Sequence, residues 1–124
     1  SPTEPVPIMV GGISEPALRR MARLSDGFLA TGPYSEEEAV AWVGRARRAL
    51  EAEGRSWEGF PITLALAAEP DVDLYKRVEE AGVTDLICAP WMFAERADSR
   101  DYRSTLDAKL RATEDFANRI IAKM

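Results

Sequence analysis

The chain has 124 residues, 21 of them acidic and 16 basic, for a net charge of −5 and no basic stripe. That length can bury the core of one domain, and the acidic balance argues against nucleic acid as the main partner. With no histidine, Ser/His/Asp and Cys/His triads and nearly every zinc constellation are excluded; the single cysteine, Cys88, excludes an internal disulfide. A lone thiol fits a reducing, cytoplasmic compartment, and no run approaches the ~20 apolar residues of a membrane span or resembles a signal peptide.

In chain order, Pro7, Ile8, Met9 and Val10 form a short apolar run, as expected of a parallel strand near 7–10 that is covered on both faces. Gly11 and Gly12 remove two side chains at its carboxyl end, letting the backbone turn sharply or lie close to a ligand. Ser14 is a helix N-cap, Glu15 suits the positive helix start, and Pro16 is tolerated in the first turn. Ala17, Leu18, Met21, Ala22 and Leu24 make an apolar face over 15–24. Asp26 and Gly27 turn the chain into a second strand, 27–31, which Thr31 and Gly32 close. A glycine-rich strand end that leads into a helix N-terminus is a place where phosphates bind. A tight strand-to-helix connection without a ligand has the same residues, and neither GxGxxG nor a P-loop lysine is present.

A helix over 35–53 follows, started by a capping box of Ser35 and Glu38 and ended at Gly54. Its apolar face is Ala39, Trp42, Val43, Ala46, Ala49 and Leu50, and Arg45, Arg47 and Arg48 read as a solvated face. Trp57 and Phe60 flank a loop into a strand over 61–67. Asp71 or Pro70 opens a helix over 71–81 that turns Val72, Leu74, Tyr75, Val78 and Ala81 inward, and Gly82 stops it. Residues 83–89 read as the fourth strand. Pro90, Trp91, Met92 and Phe93 then form a loop at that strand's end, suited to lining a pocket for a flat ring or an apolar substrate, to plugging the end of the sheet's interior or to forming an interface. The segment 94–103 is charged and expected to be mobile. Ser104 with Asp107 caps a last helix, 104–122, whose apolar face is Leu106, Leu110, Phe116, Ala117, Ile120 and Ile121. Four strands alternate with four helices, which implies an α/β fold of parallel βα repeats with right-handed crossovers. No internal linker divides the unit 1–124.

The stretch 6–32 resembles the cofactor-phosphate segment of the bacterial luciferase-like monooxygenase superfamily, flavin- or coenzyme F420-dependent oxidoreductases built on a TIM (β/α)8 barrel. The residues that carry the resemblance are Pro7, Gly11-Gly12, the Ala- and Arg-rich helix from Ala17 to Arg23, and Asp26-Gly27-Phe28. The resemblance implies that Gly11, Gly12 and Ile13 lie against the phosphate of FMN or coenzyme F420, with Ser14 at the helix start. It implies also that Thr31 and Gly32 stand at the next strand's end, near cofactor or substrate. A TIM barrel needs ~250 residues, so the resemblance further implies about the C-terminal half of one. Its partner is then a missing N-terminal half, or a further copy of the chain in a homo-oligomer, since four strands leave two open edges.

No residue is a persuasive general acid or base. Asp85 lies inside a strand pattern and reads as structural, and Asp26 reads as a turn residue. The leading expectation is therefore an oxidoreductase fragment that is inactive alone. The alternative is a non-catalytic half-barrel that binds or dimerises. A flavodoxin-like regulator would need an acidic cluster after the first strand, which is missing.

Overall fold

A computed structural model describes residues 3–94 and 105–124. Four parallel strands, β1 (Met9–Gly11), β2 (Gly27–Tyr34), β3 (Ile62–Leu66) and β4 (Asp85–Ile87), lie side by side in sequence order. Between them the chain returns through α1 (Glu15–Leu24), α2 (Glu36–Ala52) and α3 (Val72–Ala81). After β4 come a short α4 (Trp91–Ala94), α5 (Leu106–Arg119) and a 3-10 turn (Ile121–Lys123).

Local chemistry sets the helix ends. Ser14 Oγ accepts from the Ala17 N–H at 3.3 Å. In α2 the capping box is complete: the Glu38 N–H donates to Ser35 Oγ at 3.1 Å and the Ser35 N–H donates to Glu38 Oε2 at 2.8 Å. Of the two candidate openers of α3, Asp71 is the cap, its Oδ1 accepting from the Leu74 N–H at 2.8 Å. Gly82 ends α3 with φ at +116°, the left-handed conformation that glycine adopts without strain.

Among the described residues, the core lies on one face of the sheet. Phe28, Ala30, Ile62, Leu64 and Leu66 point from β2 and β3 into a layer made by Leu18, Met21 and Ala22 of α1, Trp42, Val43, Ala46 and Leu50 of α2, and Leu74, Tyr75 and Val78 of α3. Trp42 packs between Phe28 and Tyr34, with ring centroids 6.1 and 5.8 Å away. Alternate residues look the other way. Met9, Gly11, Thr31, Asp85 and Ile87 are exposed there, and Leu29, Thr63 and Ala65 are half-buried. Parallel sheets are ordinarily covered on both faces. A parallel arc with helices on its outer side alone is the geometry of part of a (β/α)8 barrel, whose inner face other strands fill.

This one-sidedness corrects several expectations. β1 starts at Met9 and is not covered on both faces: Ile8 is 58% exposed and Met9 41%, because at this edge of the sheet the described residues enclose neither side chain. β2 runs on to Tyr34, with its register against β3 shifted between Ala30 and Tyr34. β4 is confined to 85–87, and Trp91 begins a helical turn where a loop was expected. Leu24 is 69% exposed, so the inward face of α1 ends at Ala22.

The expected apolar face of the last helix is largely uncovered as well. Ala112 and Ile120 are buried and Phe116 and Ala117 half-buried, but Leu106, Leu110 and Ile121 are exposed. α5 follows the outermost strand, and no further element covers its far side among the described residues. The segment 95–104, including Ser104, lies outside the described residues; the described cap is Thr105, whose Oγ1 accepts from the Ala108 N–H at 3.2 Å.

Two arginines tie layers together. Arg55, beyond the end of α2, donates to the Ala22 carbonyl at 2.7 Å and the Ser25 carbonyl at 2.9 Å, closing the C-terminus of α1. Arg45 lies over the Trp42 ring, 4.2 Å from its centroid, while its Nη2 donates to Glu15 Oε1 at 2.8 Å.

Candidate functional site

The turn between β1 and α1 is shaped by its two glycines. Gly12 has φ at +122°, and a Cβ there would stand 2.8 Å from the Ala17 Cβ. At Gly11 a Cβ would stand 3.2 Å from the Leu29 carbonyl oxygen. A side chain at either position would push the turn away from its neighbours, so the glycines let it lie tight between β2 and the first turn of α1.

The first turn of α1 is partly satisfied from within. The Ala17 N–H donates to Ser14 Oγ, the Leu18 N–H donates to the Ser14 carbonyl at 2.9 Å, and Pro16 has no N–H to offer. Among the described residues, no hydrogen bond engages the N–H of Ile13 or Ser14, and both residues are exposed. Two free donors at the positive end of a ten-residue helix form an anion-receptive corner. Nearby acids are held elsewhere. Glu15 is drawn to Arg45, and Asp26 lies at the opposite, amino end of the strands, where its Oδ2 accepts from the Ile8 N–H at 2.8 Å, a turn role that links β1 to the start of β2. Backbone N–H groups at a helix N-terminus are donors of the kind that anions accept from.

Thr31 and Gly32 belong to the same rim. Gly11 pairs with Leu29, so Gly12, Ile13 and Ser14 leave the sheet at its carboxyl end, and Thr31 continues β2 past that level. Thr31 shares the inner face with Gly11 and Leu29 and is exposed. Gly32, with φ at +91°, brings the backbone so close to β3 that a Cβ would stand 2.6 Å from the Ala65 carbonyl oxygen. The six residues singled out from the sequence thus gather along one end of two adjacent strands.

Other candidates fall away from that rim. Asp85 opens β4 at the opposite, amino end, where Thr84 Oγ1 donates to its Oδ2 at 2.7 Å while accepting from the Ile62 N–H at 2.8 Å. Its role is structural. Trp91 and Phe93 turn toward α5: Lys109 Nζ lies 5.8 Å from the Trp91 ring centroid, and Phe93 lines a cavity of about 90 Å³ with Ala112, Phe116 and Ile120. Met92 stays exposed. Among the described residues, no group of three acidic, cysteine or histidine side chains could hold a metal ion. No described helix is long and apolar enough to cross a membrane.

One feature escaped the sequence. Tyr75 Oη donates toward Cys88 Sγ at 3.6 Å, across the interval from α3 to the end of β4. Burial, reinforced by the Cys88 thiol, holds the phenol's pKa well above its ordinary value. The pair lines a groove of about 400 Å³ with Glu79, Asp85, Leu86, Phe116 and Met124. No motif announces it, because a helix and a strand residue 13 positions apart meet only through the crossover.

Uncharacterized proteins of Mycobacterium bovis and Mycobacterium tuberculosis are 35% identical to the chain over 127 residues, a match that covers 100% of this chain and 41% of each relative. The chain therefore spans about two-fifths of the length of the curated relatives it matches. No solved structure gives a significant match. Residues 1–119 match the luciferase-like monooxygenase family, and with a one-sided parallel βα arc that accords with part of its barrel, the chain belongs to that family.

Proposed function

We propose that this chain is the C-terminal part of a luciferase-like, flavin- or coenzyme F420-dependent oxidoreductase, and that it contributes the segment that receives the cofactor phosphate. The observation that carries the reading is the β1–α1 corner, where Gly11 and Gly12 clear the way and the Ile13 and Ser14 N–H groups remain free. Such a cofactor supplies hydride transfer or oxygen activation when bound, and the protein's share is orientation and electrostatics. Here the free N–H groups and the α1 dipole hold the anionic end. The Thr31 hydroxyl, exposed on the inner face of the same rim, offers a further hydrogen bond. Proton-transfer groups come from the rest of the barrel, so the chain alone is inactive. FMN and coenzyme F420 share the phosphate-bearing side chain, and both suit this corner. The single thiol suits a reducing, cytoplasmic setting.

Titrating the chain with FMN and with coenzyme F420, by calorimetry or native mass spectrometry, tests the reading. Ser14→Asp keeps a good N-cap while setting a carboxylate against the phosphate; Gly12→Asp does the same at the turn. Binding of one cofactor by the parent chain, weakened more than about tenfold by Ser14→Asp, is the expected result. Binding that survives both substitutions unaltered overturns the phosphate assignment. A second reading is a non-catalytic half-barrel that assembles without chemistry. Assembly with no retention of either cofactor supports that one.

A further inference from the structure

Glu15 is the first residue of α1 and adjoins the Ile13 and Ser14 N–H groups, which no described residue engages. A carboxylate in a first turn is drawn to the same positive helix end that an incoming anion needs. Left to itself it competes with that anion and repels it. Here the Glu15 side chain, 70% exposed, is bonded across the helix interface instead, its Oε1 accepting from Arg45 Nη2 at 2.8 Å.

Arg45 is itself fixed by the core. Trp42, about one turn earlier on α2, is buried between Phe28 and Tyr34. The Arg45 guanidinium lies 4.2 Å from the centroid of that indole, and 35% of its side chain is exposed. A planar guanidinium stacked on a ring keeps its N–H donors in its own plane, so the stack and the bond to Glu15 are compatible. Arg19 and Arg48 line the same groove between α1 and α2, but both are exposed, and among the described residues neither bonds Glu15.

We propose that Arg45 is a positioning residue for the anion corner: it holds the Glu15 carboxylate in the α1–α2 groove, off the Ile13 and Ser14 N–H groups, and offsets its charge. The role rests on the reading of that corner as the end that receives the cofactor phosphate. The potential that Arg45 sets there is nonetheless measurable with no cofactor present. A carboxylate released one residue from the corner weakens the approach of an anion by about three- to tenfold at low salt. The effect shrinks in 1 M salt, where charges are screened within ~3 Å.

Hydroxide-catalysed hydrogen exchange of the Ile13 and Ser14 N–H groups, followed by NMR at fixed pH and low salt, tests this on the 124-residue chain. Hydroxide is itself an anion that must reach the corner. Arg45→Met, which keeps an apolar side chain on Trp42, is expected to slow both groups about three- to tenfold. The exposed Gly59 amide, near the amino end of the strands, should be unchanged. Adding Glu15→Gln should restore the parent rates, and Arg45→Lys, which retains the charge, should slow exchange less than Arg45→Met. A purely structural role would lower stability with no rescue by Glu15→Gln. Glu15→Gln alone changes an exposed side chain and needs no Arg45 variant to fold; it is expected to speed exchange about twofold or more. FMN affinity follows the same order where the corner holds the phosphate. Exchange in this order from a chain that binds neither FMN nor coenzyme F420 supports the role of Arg45 and counts against the phosphate reading alone. Rates that neither Arg45→Met nor Glu15→Gln moves, or a slowing that Glu15→Gln fails to reverse, overturn the proposal.

Discussion

Gly12→Ala probes whether the β1–α1 corner is held as tightly as its geometry requires. The methyl group would be forced onto a backbone with φ at +122° and to within 2.8 Å of the Ala17 Cβ. An unfavourable φ costs of order 1–3 kcal/mol, and crowding a well-packed contact costs typically ~1–3 kcal/mol more. The expected destabilisation is about 3 kcal/mol, a large share of the ~5–15 kcal/mol that holds a domain of this size. Urea unfolding followed by circular dichroism reads it as a lower midpoint at unchanged slope. Ala17→Gly separates the two contributions. Alone it costs about 1 kcal/mol of helix propensity, but combined with Gly12→Ala it removes the clash and leaves the φ strain. The double variant should thus be more stable than the sum of the singles by roughly 1–2 kcal/mol. A Gly12→Ala chain within about 0.5 kcal/mol of the parent would refute the reasoning, since an unconstrained surface position behaves that way. Additive singles would instead mean that Ala17 is not what the methyl meets.

Arg55→Met removes two charge-assisted bonds to the Ala22 and Ser25 carbonyls, and a loss of about 2–3 kcal/mol in the same urea assay is expected. Glu36 accepts from Arg77 Nε at 2.7 Å and Nη2 at 2.9 Å, and that hydrogen bonding holds its carboxyl below the usual pKa. Its contribution is present above the ordinary carboxylate pKa and is lost as pH falls through the lowered one. Glu36→Gln should therefore flatten the acid limb of stability against pH, and an unchanged limb counts against the pair. Tyr75 has its pKa raised by burial and by Cys88, so its stabilisation is complete below the ordinary phenol pKa and disappears as pH rises past it. Tyr75→Phe should blunt alkaline unfolding, read by circular dichroism; an identical alkaline limb in the variant contradicts this. Ser35→Ala breaks the capping box, and about 1 kcal/mol is the expected cost.

Much of this chain was legible because the relevant physics is local. Helix caps depend on a side chain and an N–H three residues apart, so Ser14 and Ser35 could be read directly, Asp71 as one of two openers, and the stop at Gly82 likewise. The βα alternation required parallel strands, and Gly11-Gly12 required a close turn; both are present. The family resemblance rested on that same local stretch, 6–32, and the family match extends it over residues 1–119. Errors arose where the outcome depends on what lies across space. The apolar run 7–10 carries the hydrophobicity of a strand covered twice, but coverage is a property of neighbouring layers, and among the described residues none lies on the inner side. Leu106 and Leu110 have helical spacing and no surface to meet, for the same reason.

What the sequence determined by itself was therefore the order and type of the elements, their caps and the glycine turn, because each follows from residues within a few positions of one another. Only the tertiary structure decided that Gly12, Ile13, Ser14 and Thr31 share one rim, that Tyr75 meets Cys88, and that the described helices all lie on one face of the sheet. Those facts depend on crossovers that bring distant residues together, and on the side of the sheet to which every helix returns.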